Sequence, residues 1–288
     1  MAQHAAENLI SIKVDVDRKE GSDLFSTFNG TVMPTLIFLD GSGNEVDRII
    51  GYLPSEQYQT KVAEIEANIN TLGACLQKYE NGERTASLLF TMAQKYTDRN
   101  ESDMATKYYA ELLELFPELD ESMASTARFE LAYDQFKNGN MDPFNKFINT
   151  FSTSPMAQHA LSLMARFYKG SDNKVSELRV YARMLELYPN DPRTLNGYAW
   201  RMSEMELNLE DALVKARYAV ALTEEDKDFQ GGILDTEAEL LWKLGRFDDA
   251  ILTIEKSLRI DPSSDYYMDQ KTKFVNAKKE ARKHVPAQ

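Results

Sequence analysis

Cysteine occurs once in this chain, at Cys75. A single thiol excludes an intramolecular disulfide framework and any cysteine-rich zinc site. Positive charge is also scarce: 33 Lys+Arg stand against 46 Asp+Glu, a net charge of −13. That balance repels phosphate backbones and anionic bilayers, so nucleic acid is not an expected partner, whereas a protein or peptide client with cationic surface is. Long apolar runs are missing too. Nothing approaches the ~18 consecutive apolar residues of a membrane helix, so no membrane insertion is expected. Met1-Ala2-Gln3-His4-Ala5-Ala6-Glu7-Asn8 has neither the basic nor the apolar region of a signal peptide. Gly-rich phosphate loops and catalytic serine motifs are absent. His4, His159 and His284 are scattered, with no His-Glu-x-x-His pair. No catalytic residue, metal or cofactor is therefore expected.

What is present falls into two parts. Leu9 to Asp17 alternates apolar and polar residues, which predicts a strand carrying Ile10, Ile12, Val14 and Val16 on one face. A short helix follows around Gly21 to Phe28. Thr35 to Leu39 is a nearly continuous apolar run, expected to be a strand covered on both faces. Asp40-Gly41-Ser42-Gly43-Asn44 supplies turn chemistry, and Glu45 to Ile50 reads as the return strand of a hairpin. Pro54-Ser55-Glu56 opens a helix with Tyr58, Val62 and Ile65 on one face.

This order resembles the last two thirds of a thioredoxin fold over residues 1 to 66. The match rests on Pro34 followed by Thr35, an apolar strand ending in Asp40, the turn glycine Gly43, and Gly51 before the last helix. The resemblance implies that Met33, Pro34 and Thr35, with the proline held cis, form the loop that lines a substrate groove. In that family a Cys-x-x-Cys lies roughly forty residues before the proline, and only 33 residues precede Pro34 here. The first strand and the redox helix are missing with it. Removing a central strand leaves two sets of backbone groups without ladder partners. Either the flanking strands pair directly, or another chain donates a strand, or the sequence is a fragment of a longer gene product. The fragment is the expectation.

From residue 85 the apolar spacing becomes helical. Tyr109 and Pro117, Phe147 and Pro155, Tyr181 and Pro189, and Ile254 and Pro262 keep one common offset. With Ala93, Tyr96 and Ala105 in the first block, and Ala238, Gly245, Phe247 and Ala250 in the last, these blocks resemble tetratricopeptide repeats. Leu195 to Trp200 opens another repeat, whose second helix carries Ala212, Ala216 and Ala219. Two middle repeats fit less well, with Pro143 and Glu177 where a small residue is expected. The fold class expected is thus an α/β partial thioredoxin-like fold followed by an all-α tetratricopeptide-repeat solenoid. Its divisions are a partial lobe at 1–66, a helical linker at 67–84, four to five repeats at 85–265, and a basic capping helix with its tail at 266–288.

The resemblance implies a groove lined by first-helix residues, for which the register selects Arg128, Glu130, Asn196, Arg201, Glu237 and Glu239. Two functions follow. One is a protein-interaction scaffold carrying a redox-inactive lobe. The alternative is a fragment of a thiol-disulfide oxidoreductase whose Cys-x-x-Cys lies upstream of Met1 and whose repeats bind client proteins. By the same resemblance the compartment is open between an exported bacterial location and the cytoplasm.

Overall fold

The computed structural model describes residues 9–283. The chain divides into two compact units, Met1–Ala160 and Leu161–Gln288.

In the first unit the order is α1 (Lys19–Thr27), β1 (Thr35–Leu39), β2 (Glu45–Ile50), α2 (Ser55–Glu66), α3 (Leu72–Glu80), α4 (Ala86–Asp98), α5 (Ser102–Leu115), α6 (Glu121–Lys137) and α7 (Asp142–Thr150). β1 and β2 pair antiparallel, Thr35 opposite Ile50, with an irregularity between Phe38 and Leu39. Their turn is built by Asp40, whose carboxylate Oδ1 accepts from the backbone N–H of Ser42 at 2.8 Å and of Asn44 at 2.9 Å. Gly43 takes the φ of +84° that this turn requires, a region costly for side-chain-bearing residues. Ile49, Val62 and Ile65 bury a small core between hairpin and α2, with Leu36, Phe38 and Tyr58 packed around it.

Two expectations fail here. Residues 9 to 15 form no strand, and Ile10 and Ile12 are 95% and 79% exposed. Alternation alone does not make a strand, because a strand needs a neighbour to accept its ladder, and β1 pairs only with β2. Direct pairing of that segment with β1 is therefore not what the chain does. Nor is β1 covered on both faces: Thr35 to Phe38 are half-buried and Leu39 is exposed. Among the described residues the sheet is a two-stranded hairpin, short of a thioredoxin-like sheet.

The helical part obeys its capping residues. Thr71, Thr85 and Asp120 each accept a hydrogen bond from the backbone N–H three residues on, closing the first turns of α3, α4 and α6. α4 and α5 form the first hairpin. Leu89, Met92 and Ala93 of α4 pack on Ala105, Tyr108, Tyr109 and Leu112 of α5. Each large side chain so buried contributes about 1.5–3 kcal/mol. Cys75 of α3 belongs to the same core, 1% exposed. In α6 and α7 the core is a pile of rings: Phe129, Phe136 and Phe144 stack at centroid separations of 4.9 to 5.6 Å where they touch Phe144. Pro143 sits in the first turn of α7, where its missing N–H has no helical partner to lose.

α8 (Pro155–Gly170) contains the division between the units. The second unit continues with α9 (Lys174–Leu187), α10 (Pro192–Met205), α11 (Leu209–Leu222), α12 (Lys227–Lys243), α13 (Phe247–Ile260) and α14 (Asp265–Lys283). α10 and α11, then α12 and α13, are closely packed hairpins joined in one core that includes Ala199, Met202, Ala212, Ala216, Ala238 and Ala250. Alanine at these sites lets the helix axes approach. Gly231 lies at the contact between α12 and α13, where Ser257 Oγ donates to its carbonyl at 3.0 Å. α14 buries Phe274 completely, while Met268, Asp269, Thr272, Asn276 and Lys279 on its outer side are exposed. It has the character of a polar cap. The tail beyond Lys283, with His284, lies outside the described residues, as does His4. These helix pairs are tetratricopeptide-like in their order, lengths and small-residue contacts.

Candidate functional site

The loop Met33-Pro34-Thr35 leads into β1. The Met33–Pro34 bond is cis. Met33 is 64% exposed, Thr35 Oγ1 donates to the Val32 carbonyl at 2.6 Å, and the Pro34 carbonyl accepts from Gly51 N–H at 2.8 Å. The chain's thiol is elsewhere. Cys75 is in the core of α3 to α5, and burial pushes its thiol above the ordinary range, which suits a packing residue better than a nucleophile.

Behind the hairpin, β2 carries a buried ionic cluster. The Arg48 guanidinium is bidentate to Glu45, at 2.8 and 2.5 Å, and donates to the carbonyls of Phe28 at 2.8 Å and Asp98 at 3.0 Å. Asp47, 3% exposed, meets Lys95 at 2.5 Å and Arg99 at 3.5 Å, while Arg99 also reaches Glu45 at 3.0 Å. β2 is thereby tied to α4. Charge pairing of this kind compensates for desolvation only when both signs remain.

The six groove residues selected by register are placed very differently. Arg128 is exposed and lies over the Phe151 ring at 5.5 Å. Glu130 is half-buried; burial raises its carboxyl pKa, and the nearby Asp98 adds to the shift. Arg201 is spent on an ion pair: Nε and Nη2 donate to Glu177 at 2.6 and 3.0 Å, and Nη1 donates to Glu204 at 3.0 Å. Glu177, in the small-residue place of its repeat, is 1% exposed, and Arg201 is what makes its burial tolerable. Glu237 accepts from Arg217 at 2.8 Å, and Glu239 from Lys273 at 2.5 Å. Asn196 is the exception, because its half-buried side-chain carbonyl Oδ1 has no hydrogen-bond partner.

A second orphan stands at the matching place one repeat later. Leu195, Ala199 and Met202 of α10 correspond to Leu234, Ala238 and Leu241 of α12, all buried. Asn196 follows the first of these leucines, and Asp235 follows the second. Asp235 Oδ1 is buried without a partner, and its Oδ2 accepts from the Tyr266 hydroxyl at 2.9 Å. Burial pushes the Asp235 carboxyl up to about 6; the Tyr266 hydrogen bond opposes this, the neighbouring Glu239 reinforces it, and Lys273 opposes it. The register reading passed over Asp235. Its position after the leucine, identical to that of Asn196, is the signal that could have found it.

Three of α14's lysines are likewise spent on ion pairs. Lys271 pairs with Glu255 at 2.9 Å, Lys273 with Glu239, and Lys278 with Asp248. Among the described residues no group of three or more His, Cys, Asp or Glu side chains could hold a metal ion. No helix of the described residues is long and apolar enough to cross a membrane.

No family model matches the chain. No curated protein matches it either. Solved structures do. YrrB, described as a TPR protein with an unusual peptide-binding site, is 17% identical, covers 69% of this chain and 98% of its own, and has a TM-score of 0.44. BtubC from P. vanneervenii is 14% identical over 67% of this chain and 87% of its own, with a TM-score of 0.47. A tetratricopeptide repeat protein from Parabacteroides merdae is 16% identical over 76% of this chain and 80% of its own, with a TM-score of 0.35. At those scores the likeness is loose, and the repeat assignment stands on this chain's own helix pairs.

Proposed function

We propose that this chain is a protein-interaction scaffold whose second unit binds an extended segment of a client protein along the face shared by α10 and α12. The observation that carries the reading is the pair of unpartnered acceptors, Asn196 Oδ1 and Asp235 Oδ1, at equivalent places on successive first helices. An unsatisfied buried acceptor costs about 1–3 kcal/mol. Two in register form a row that a donor-bearing chain in extended conformation can satisfy once the side chains covering them turn aside, with alternate side chains left to find pockets. Of the register's six residues, Asn196 and Glu239 belong to this face in the proposal, while Arg201 and Glu237 hold neighbouring helices together. Arg128 and Glu130 would face a client only on the first unit's own repeats.

The amino-terminal piece is read as an incomplete thioredoxin-like lobe, on the strength of its α1, β1, β2, α2 order and the Met33-Pro34-Thr35 loop. In this reading the lobe is an appendage clamped to α4, and its open β1 edge is where a strand donated by another chain would pair. Nothing among the described residues favours a thiol-disulfide activity. The test of the scaffold reading is selection of displayed peptides on the full chain at pH 7.5, followed by titration of the enriched sequences against Asn196→Ala. Enriched peptides should bind the variant at least tenfold more weakly. Absence of any enrichment over a bare surface, or equal binding to the variant, sinks it.

A further inference from the structure

The polar cluster around Asp235 says more about the client than its backbone does. α12 contributes Asp235 and Glu239; α14 contributes Tyr266, Gln270 and Lys273. Tyr266 donates to Asp235 Oδ2 and accepts from Gln270 Nε2 at 2.9 Å. The Lys273 ammonium is held by Glu239 Oε2 at 2.5 Å and by Gln270 Oε1 at 3.3 Å, with its Nζ 4.1 Å from the centre of the Trp242 ring. The charged groups acting on Asp235 are therefore one carboxylate and one ammonium. With Asp235 itself, the cluster holds two negative charges and one positive. Glu239 already has its partner, so the excess sits on the acid that is 6% exposed and whose Oδ1 is unpartnered.

A neutral amide N–H from a client would satisfy that oxygen's hydrogen bond but leave the charge. A cation answers both deficits, since charge-assisted hydrogen bonds are roughly twice as strong as neutral ones. We propose that the face between α12 and α14 holds one cationic group of the client, a lysine ammonium or an arginine guanidinium, on the carboxylate of Asp235, beside the Glu239–Lys273 ion pair. This rests on the client-segment reading above. Asp235 Oδ1 is shielded from solvent, and in this proposal the carboxylate is reached when the half-exposed Tyr266 phenol, which donates to Oδ2, swings aside. The chain's overall charge of −13 favours the approach of such a client from a distance.

The same peptide selection decides it. Enriched sequences should carry a lysine or arginine at one fixed position. Replacing that residue by glutamine should weaken binding to the wild-type chain at least tenfold, and to Asp235→Asn less than twofold. Glu239→Gln, which releases the Lys273 ammonium to neutralise Asp235 in the client's place, should show the same loss of discrimination and stands in should Asp235→Asn not fold. Enriched peptides without a fixed basic residue, or a glutamine penalty equal on wild type and variants, overturn the cation site while leaving the client-segment reading intact. Peptides that fail to enrich at all overturn both.

Discussion

Replacing Asp235 by asparagine should stabilise the second unit at neutral pH and change little near pH 4. In the folded chain burial holds this carboxyl at about 6, against 3.8 for an unperturbed aspartate. A carboxyl whose folded pKa is raised binds its proton more tightly in the folded state. Stability is then highest where the group is protonated in both states, below the unfolded value, and falls as pH rises through the window from about 4 to 6. Above that window the loss is complete. A shift of about two units corresponds to about 3 kcal/mol at pH 7.5, and to roughly 0.6 kcal/mol at pH 4. Asparagine keeps the shape and an acceptor for Tyr266, but has no charge to desolvate. It remains a buried polar group, so part of the gain at neutral pH is offset by its own desolvation, by an amount that does not depend on pH. The quantity to measure is therefore the difference between variant and wild type as pH changes, expected to grow by about 2 kcal/mol between pH 4 and 7.5. Both tryptophans, Trp200 and Trp242, lie in the second unit, so urea titrations followed by tryptophan fluorescence report on it directly. A difference that stays flat across this range, or that turns against the variant as pH rises, would refute the reasoning.

Other perturbations separate ionic clusters that hold the chain together from those that face a partner. Asp47→Ala strips Lys95 and Arg99 of a buried counter-charge; hydrogen exchange of the backbone amides of β2 and α4 should show a loss of about 3–5 kcal/mol, and a loss below 1 kcal/mol would show the cluster to be solvated. Arg201→Ala should cost more than Glu177→Ala, because it abandons a carboxylate that is 1% exposed, whereas the reverse change restores a small residue and leaves Arg201 with Glu204. Urea midpoints in the opposite order would contradict this assignment. With its thiol buried and its pKa raised, the chain should reduce insulin disulfides with dithiothreitol no faster than the uncatalysed rate; turnover abolished by Cys75→Ser would overturn that expectation.

Local chemistry was legible wherever the physics is local. The Asp40 turn, the helix opening at Pro54-Ser55-Glu56 and the alanines of α10 to α13 could all be read because a turn or a helix stripe depends on residues a few positions apart. The strand expected over Leu9 to Asp17 was not legible, since its pattern is genuine but its partner is not in the sequence pattern. Groove residues suffered in the same way. Register puts Arg201 and Glu237 on first helices, yet whether a charged side chain faces a ligand or the preceding helix depends on the acid or base waiting there, Glu177 and Arg217.

By itself, then, the amino-acid sequence determined the helical hairpins, their close-packed alanine contacts, the turn at Asp40 and the isolation of Cys75, because these follow from backbone propensity and apolar spacing. Tertiary structure alone decided which charges are spent and which are left over. Pairing of Glu177 with Arg201, Asp47 with Lys95 and Glu239 with Lys273 spans dozens of residues, and desolvation acts only on groups that packing has already enclosed. Asp235 looks ordinary in the sequence, and it is the packing of α14 against α12 that leaves its Oδ1 buried and unpartnered.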